Sequence, residues 1–119
     1  MTFRRGDIVL ARLPFTDLTA SKTRPALVVQ CDRNNRRLDD VILAMITSTI
    51  DRALFEPTQL LIDLDSPTGA AAGLLHTSVV KCERLITLHG SLLTRTIGHL
   101  PDVLSAQLDA CLKESLGLS

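Results

Sequence analysis

Short apolar runs alternate with polar connectors through the first three quarters of the chain. Runs of four to eight apolar residues bounded by turn residues are typical of β-strands. The candidate strands are Ile8–Leu13, Ala26–Gln30, Val41–Ile46, Thr58–Leu64, Val79–Cys82 and Leu85–Leu88. The connector at residues 31–40, CDRNNRRLDD, is rich in Asn, Asp and Arg and predicts a turn between the second and third strands. We therefore expect six or seven short strands.

The remaining part of the chain carries helical signals. Ser91–Ile97 is predicted as a short helix, with Ser91 as its N-cap and Gly98 as its end. Pro101 suits the first turn of a second helix, which ends at Gly117. Its residues at helical spacing are Leu104, Leu108, Cys111, Leu112 and Ser115. Strands followed by a helix predict a mainly β (α+β) fold, a small β-barrel or strongly bent antiparallel sheet with a C-terminal α-helix.

Composition favours a single domain over residues 1–119. The chain is 45% hydrophobic, which argues against disorder, and its length supports one sizeable core. No apolar run approaches the ~18 residues of a membrane span, and the first residues do not form a signal peptide. Cys31, Cys82 and Cys111 are far apart and form no C-x-x-C pair, which favours reduced thiols. We expect a cytoplasmic protein that does not contact a membrane.

The formal net charge is zero, but its distribution along the chain is uneven. Residues 1–37 hold eight cations and three acids, a balance of +5, and the remainder holds five cations and ten acids, a balance of −5. A local basic surface attracts a polyanion even on a neutral protein. Alternatively, the two parts interleave in a small fold and their charges mix. The sequence leaves both interpretations open.

A cationic residue stands next to a predicted core strand. If Ala26–Gln30 and Val41–Ile46 form an antiparallel hairpin with Gln30 opposite Val41, then Arg24 falls opposite Thr47. Residues directly opposite have Cβ atoms roughly 4.5–5.5 Å apart. A guanidinium beside hydroxyl groups suits phosphate, because it offers planar, bidentate donors. The alternative is an ordinary surface arginine beside threonines that favour strands.

The histidines test a competing class of enzyme. A ribonuclease with a histidine acid–base pair would need two of His76, His89 and His99 in one cleft. They lie in a connector, at a strand end and in a turn, at no metal-ligand spacing. We expect solvated histidines, no histidine pair and no metal site.

Four segments resemble, in order, the successive motifs of the MazF/PemK toxins of type II toxin–antitoxin systems. They are RGDIVLARLPFTD (5–17), KTRPALVVQ (22–30), LAMITS (43–48) and SVVKCERLITL (78–88). The similarity runs through nearly the whole chain. It implies an SH3-like β-barrel with a C-terminal helix, usually a homodimer. It also implies a sequence-specific endoribonuclease that cuts single-stranded RNA without a metal or other cofactor, and an antitoxin that blocks it.

The resemblance also implies roles for particular residues. Arg24 matches the catalytic arginine of the family, and Thr47 matches the Thr or Ser at the end of the third strand. Lys81 and Glu83 match positions that some members fill with a basic–acidic pair proposed as acid and base. Alternation along a strand places both on one face, with Cys82 on the other. Further candidates for the RNA groove are Thr16, Lys22, Ser48 and Ser78.

The implied reaction is attack by the 2′-hydroxyl of the RNA on the adjacent phosphorus, which leaves a 2′,3′-cyclic phosphate and a 5′-hydroxyl. Such a reaction needs a base, an acid and cations for the charge on the equatorial oxygens. Glu83 is the candidate base, Arg24 the charge stabiliser and a candidate acid, and Thr47 a phosphate-positioning group. Lys81 assists either step. An ordinary cross-strand ion pair is the alternative for Lys81 and Glu83.

Three features bear on specificity and on competing functions. The loop TDLTASK (16–22) is short, Lys81 replaces an arginine, and the aromatics are few (Phe3, Phe15 and Phe55), so few side chains can stack on bases. Recognition would then depend on hydrogen bonds to base edges.

Two alternatives to the enzyme are a contact inhibitor, like the similarly folded CcdB toxins that inhibit gyrase, and a homologue that keeps the fold without activity. The set of Arg24, Thr47 and Glu83 favours the enzyme.

Overall fold

Six strands and two α-helices make up the fold in our computed structural model, which describes residues 2–13, 22–50 and 56–119. The strands are β1 (Asp7–Leu13), β2 (Lys22–Val28), β3 (Asp40–Thr47), β4 (Gln59–Ile62), β5 (Ser78–His89) and β6 (Leu93–His99). The helices are α1 (Asp32–Arg37) and α2 (Ser105–Leu116), with short 3-10 turns at Gly69–Ala72, Gly90–Leu92 and Asp102–Leu104. No helix among the described residues has the length and apolar character to span a bilayer.

The strands form one antiparallel sheet in the order β4-β5-β3-β2-β1-β6. The predicted mainly β fold with a C-terminal helix is confirmed. Within the described residues the sheet is not closed into a barrel, because β4 and β6 form its two edges. Three sequential pairs of strands are neighbours in the sheet, β1 with β2, β2 with β3 and β4 with β5, whereas β6 crosses to the far edge and pairs with β1.

The predicted register between the second and third strands is confirmed. Ala26 pairs with Met45, Leu27 with Ala44 and Val28 with Leu43. The same register, continued past Ala26, brings Arg24 level with Thr47. The apolar run of β2 and the apolar run of β3 bury their side chains against each other, so a slip by one residue would turn core residues toward solvent.

Residues 31–40 were predicted to form a turn, but they contain α1. A buried side-chain pair stabilises this short helix: the Asn35 amide nitrogen donates to the Gln30 carbonyl at 3.0 Å, and the Gln30 amide nitrogen donates to the Asn35 side-chain oxygen at 3.0 Å. Asp32 lies in its first turn and Arg36 and Arg37 in its last, which complements the helix dipole. The prediction failed because the polar composition of the segment does not reveal this pairing of Asn35 with Gln30.

The predicted helix at Ser91–Ile97 is wrong, because most of this segment is strand β6. Leu93–His99 pairs along β1, for instance Thr96 with Val9 and Arg95 with Leu10. Ser91 does lie beside a cap, since its backbone N–H donates to His89 Nδ1 at 3.1 Å, but the turn that follows is a single 3-10 turn. Pairing along the free edge of β1 outweighs a helical signal of only seven residues.

Helix α2 covers one side of the sheet, as the helical spacing predicted. Leu108 and Cys111 pack in a buried cluster with β-strand residues such as Ile46, Val80 and Cys82. The Ser115 hydroxyl donates to the Cys82 carbonyl at 2.6 Å, and Gly117 ends the helix in the left-handed region. A second buried cluster includes Phe3, Val9, Val28 and Leu88.

The packing of α2 predicts unequal costs for two leucine substitutions in the same helix. Leu108 is 1% exposed and Leu116 is 56% exposed. Leu108→Ala leaves a cavity against the sheet and is expected to lower the free energy of unfolding by about 2–5 kcal/mol. Leu116→Ala, the control, is expected to change it by no more than about 0.5 kcal/mol. Urea unfolding measures both, and equal effects would contradict this packing.

Candidate active site

A groove with a volume of about 990 Å³ opens where strands β2, β3 and β5 lie side by side. Five of the eight candidate residues line it: Arg24, Thr47, Ser48, Ser78 and Lys81. They come from distant parts of the sequence and meet because antiparallel neighbours bring the end of one strand beside the start of the next. The groove therefore collects the predicted phosphate-binding pair and half of the predicted acid–base pair.

Strand register explains how three of these residues converge. Thr47 pairs with Val79 and Met45 pairs with Lys81 across β3 and β5. Arg24, on the other side of β3, is level with Thr47. The Thr47 hydroxyl oxygen accepts a hydrogen bond from the Thr49 backbone N–H at 3.2 Å, which leaves the hydroxyl proton to donate elsewhere. A guanidinium, a hydroxyl donor and an ammonium thus lie on three adjacent strands.

The charge of the groove suits an anion. Three cations line it, Arg24, Lys81 and Arg84, and no Asp or Glu is among its described lining residues. Arginine and lysine bind phosphate oxygens, the first as a planar fork and the second as a point charge. Arg24 comes from the basic first part of the chain, and Lys81 and Arg84 come from the acidic remainder. The groove is therefore a local cationic surface that is built from both parts of the chain.

Arg84 is not among the residues predicted for the site, because a bulge brings it to the groove. Ala44 pairs with Leu85, but the next residue, Met45, pairs with Lys81. Residues 82–84 are therefore extra on β5, and a bulge of this kind redirects side chains. The two separately predicted strands, Val79–Cys82 and Leu85–Leu88, are parts of the one strand β5, and the bulge lies where the two predictions are interrupted. A basic residue inside the segment KCER was the available signal, but nothing in the sequence marks the bulge.

Glu83 lies beside the groove, outside its described lining. One of its carboxylate oxygens accepts a hydrogen bond from the Thr58 hydroxyl at 3.1 Å, and the other accepts from the Gln59 amide at 2.7 Å. Gln59 pairs with Lys81 across β4 and β5, while Cys82 is buried in the core. Gln59 is therefore the cross-strand partner of Lys81 and a hydrogen-bond donor to Glu83.

Opposing effects act on the Glu83 carboxyl. Partial burial raises its pKa, but the hydrogen bonds from Gln59, the backbone and Thr58, with the charge of Lys81, hold the pKa below its ordinary value. Glu83 is therefore ionised at neutral pH. A carboxylate with a lowered pKa is always in the form that a base requires, but it is a weaker base than one whose pKa is raised.

The remaining candidates are spread around the groove. Lys22 begins β2 with an exposed side chain outside the described lining, and Thr16 lies outside the described residues. The three histidines do not share one cluster: His76 lines the groove, His89 contacts Ser91, and His99 Nδ1 lies 3.0 Å from the Asp7 carboxylate. Within the described residues, no group of three or more His, Cys, Asp or Glu is arranged to hold a metal.

Residues 4–116 match the family described as PemK-like, MazF-like toxins of type II toxin–antitoxin systems. The chain belongs to this family. It is 34% identical over 119 residues to Endoribonuclease EndoA of Bacillus subtilis (strain 168), a match covering 99% of this chain and 97% of that protein. Among solved structures it is similar to Mycobacterium tuberculosis toxin MazF-mt6, with 26% identity, a TM-score of 0.77, and coverage of 95% and 98% of the two chains.

Other structures support the fold. A mycobacterial endoribonuclease solved in complex with its cognate antitoxin is 21% identical, with a TM-score of 0.77 and coverage of 98% of this chain and 97% of that chain. The predictions of a MazF/PemK toxin and of an enzyme of the endoribonuclease class are confirmed. The alternative, a contact inhibitor of the CcdB type, is not favoured by these relatives.

The hydrogen bonds of Glu83 in this toxin predict a pH-dependent contribution to stability. Because the folded-state pKa lies below the ordinary value of 4.5, ionised Glu83 stabilises the fold above that value, and the contribution is lost as the pH falls through the folded-state pKa. Glu83→Gln is therefore expected to destabilise the protein more at about pH 7 than at about pH 3. Urea unfolding at both values measures the difference, and an equal loss at both would contradict the hydrogen-bond arrangement.

Proposed function

We propose that this toxin cuts single-stranded RNA at short sequences in the groove of Arg24, Thr47 and Lys81. The observation that carries the proposal is a groove with three cations, several hydroxyl groups and no carboxylate in its described lining. In the reaction, the 2′-oxygen forms a bond to phosphorus, the bond from phosphorus to the 5′-oxygen breaks, and a proton moves to that oxygen. The nucleophile belongs to the substrate, so these bond changes balance without a metal or other cofactor.

Arg24 and Thr47 serve the phosphate in this proposal. Negative charge builds on the equatorial oxygens in the transition state, and fixed donors aimed at them are the largest stabilising effect available. The guanidinium stays charged at any working pH and donates two parallel hydrogen bonds. The Thr47 hydroxyl is fixed on its acceptor side by the Thr49 N–H, so its proton can be directed at a phosphate oxygen.

Lys81 and Glu83 serve the proton transfers. Lys81 lines the groove and supplies a proton or a positive charge at the 5′-oxygen. Glu83, ionised and oriented by Thr58 and Gln59, is the proposed base at the edge of the groove. Each carboxylate oxygen has two acceptor sites, so both retain capacity for the 2′-hydroxyl after these hydrogen bonds. Arg24 is the other candidate for the acid.

Four further residues are proposed to follow the RNA away from the reacting phosphate. Ser48 and Ser78 line the groove, and Ser78 donates its hydroxyl proton to the His76 carbonyl at 2.8 Å, which leaves it to accept from the substrate. Lys22 lies two residues before Arg24 on β2, on the same face by alternation. Thr16, outside the described residues, is proposed from the resemblance alone.

The family supports proposals about assembly and location. Its members are toxins of toxin–antitoxin systems, and structures of MazE–MazF from Deinococcus radiodurans are among the similar folds. We infer that this chain acts as a homodimer in the cytoplasm, under control of its own antitoxin. The three cysteines are free thiols, Cys31 exposed and Cys82 and Cys111 buried, as suits a reducing compartment.

Arg24→Ala is expected to reduce cleavage of a long single-stranded RNA by at least ~100-fold, the loss typical of one donor to a developing oxyanion. The assay uses purified toxin in EDTA and identifies 5′-hydroxyl ends on the fragments. Arg33→Ala is the matched control, because it removes an equal charge from an exposed position on α1. Arg24→Lys keeps the charge without the bidentate fork and should recover only part of the activity.

Two results would contradict this assignment. Equal cleavage by wild type and Arg24→Ala would remove Arg24 from the site. No cleavage of several diverse RNAs by folded wild type, free of antitoxin, would overturn the proposed reaction.

The homodimer proposal predicts a solution mass of twice that of one chain. Light scattering coupled to gel filtration measures it, at micromolar concentration and without antitoxin. A single-chain mass at the highest soluble concentration would contradict the proposal.

A further inference from the structure

The loop before β5 contributes a surface to the groove that the proposed reaction does not use. Leu74, Leu75 and His76 all line the groove beside its cations. Leu75 is 90% exposed, the highest value among the exposed large hydrophobic side chains of the described residues. A single exposed leucine needs no explanation. Leu75 differs because it adjoins an imidazole inside a cationic groove.

The backbone of this loop is held at both ends. Gly73 has a φ of +77°, and a Cβ there would lie 2.0 Å from the Ile97 carbonyl oxygen, so glycine is required for the close approach to β6. At the other end, the Leu64 N–H donates to the Thr77 hydroxyl at 3.0 Å. The Ser78 hydroxyl donates a hydrogen bond to the His76 carbonyl. The loop thus presents two exposed side chains from a fixed backbone.

The register places this loop near the proposed reaction centre. Thr47 pairs with Val79, and His76 is three residues before Val79. Three residues of chain span at most about 11 Å, so His76 lies within that distance of the residue opposite Thr47. This offset suits a nucleotide next to the cleaved phosphate better than the phosphate itself.

We propose that Leu75 and His76 form a platform for a nucleobase next to the cleaved phosphate and help determine which base the toxin accepts. The inference rests on the proposed RNA cleavage. Single-stranded RNA is recognised largely through splayed bases that stack on aromatic side chains, including histidine, and that form hydrogen bonds through their edges. His76 supplies both the ring face and a ring nitrogen, and Leu75 supplies apolar cover.

The scarcity of other platforms strengthens the proposal. No Phe, Tyr or Trp is among the described lining residues of the groove. Phe3 is buried in the second core cluster, and Phe15 and Phe55 lie outside the described residues. Within the described part of the groove, the His76 ring is therefore the aromatic side chain that a base could stack on, while the arginines are occupied with phosphate in the proposed reaction.

Leu75→Ala, His76→Ala and the double variant test the platform. The assay is cleavage of a single-stranded RNA library, followed by sequencing of the fragment ends. Each single variant is expected to lower kcat/KM about tenfold on the preferred sequence, the scale of one lost base contact. Base preference at one position beside the cut should also relax. His76→Gln keeps an edge hydrogen bond without the ring, and so separates stacking from hydrogen bonding.

Leu118→Ala is the matched control, because it makes the same substitution at a 61% exposed leucine outside the described lining of the groove. It should cleave with the rate and base profile of wild type. If wild type cleaves RNA and the Leu75 and His76 variants match it in both rate and base profile, the platform is wrong and the proposed function stands. If folded wild type cleaves no RNA, the proposed function itself has failed.

A third outcome also overturns the platform. Variants that cleave like wild type but escape inhibition by the cognate antitoxin would assign the loop to binding of that protein. Because both side chains are exposed, the unfolding free energies of the variants should stay close to that of wild type.

Discussion

The pairing of β3 with β5 is the constraint on which the site depends. Eight residues of β3, from Asp40 to Thr47, are matched on β5, and β3 lies between β2, which carries Arg24, and β5, which carries Lys81. The register of β2 and the register of β5 are both set by their pairing with β3. Buried residues on each of the three strands hold the register, since a slip by one residue would expose them. Core packing thereby sets distances between polar groups that do not contact one another.

One irregularity in that ladder distinguishes this groove from a regular strand surface. The extra residues 82–84 turn Arg84 toward the groove and leave Glu83 with Thr58 and Gln59. The Glu83 carboxylate lies outside the described lining. Inside the groove, its negative charge would offset the attraction of the three cations for phosphate. Long-range pairs such as Arg5 with Asp109, whose nitrogen and oxygen lie 2.8 Å apart, show the two oppositely charged parts of the chain interleaving elsewhere.

Local patterns were sufficient for the first five strands and for placing Arg24 level with Thr47, because apolar run length and hairpin register follow from burial. They were insufficient where the local structure depends on contact with one particular partner residue or strand. Helix α1 depends on the amide pair of Asn35 and Gln30, and β6 depends on the open edge of β1. Arg84 depends on a bulge, and the position of Leu75 depends on a glycine fitting against Ile97. None of these contacts has a signature in the sequence period, and all except the pair of Asn35 and Gln30, five residues apart, join distant parts of the chain.

Burial of two of the three thiols has a practical consequence. Burial, with the charges of Cys111 and Glu83, raises the pKa of Cys82 to about 12, and burial with Glu83 raises the pKa of Cys111 as well. Thiols react as thiolates, so both are inert at neutral pH. Cys31 is exposed at the start of α1, outside the described lining of the groove. A maleimide label would therefore attach at one site on the native chain, outside the described lining of the groove, without any engineered cysteine.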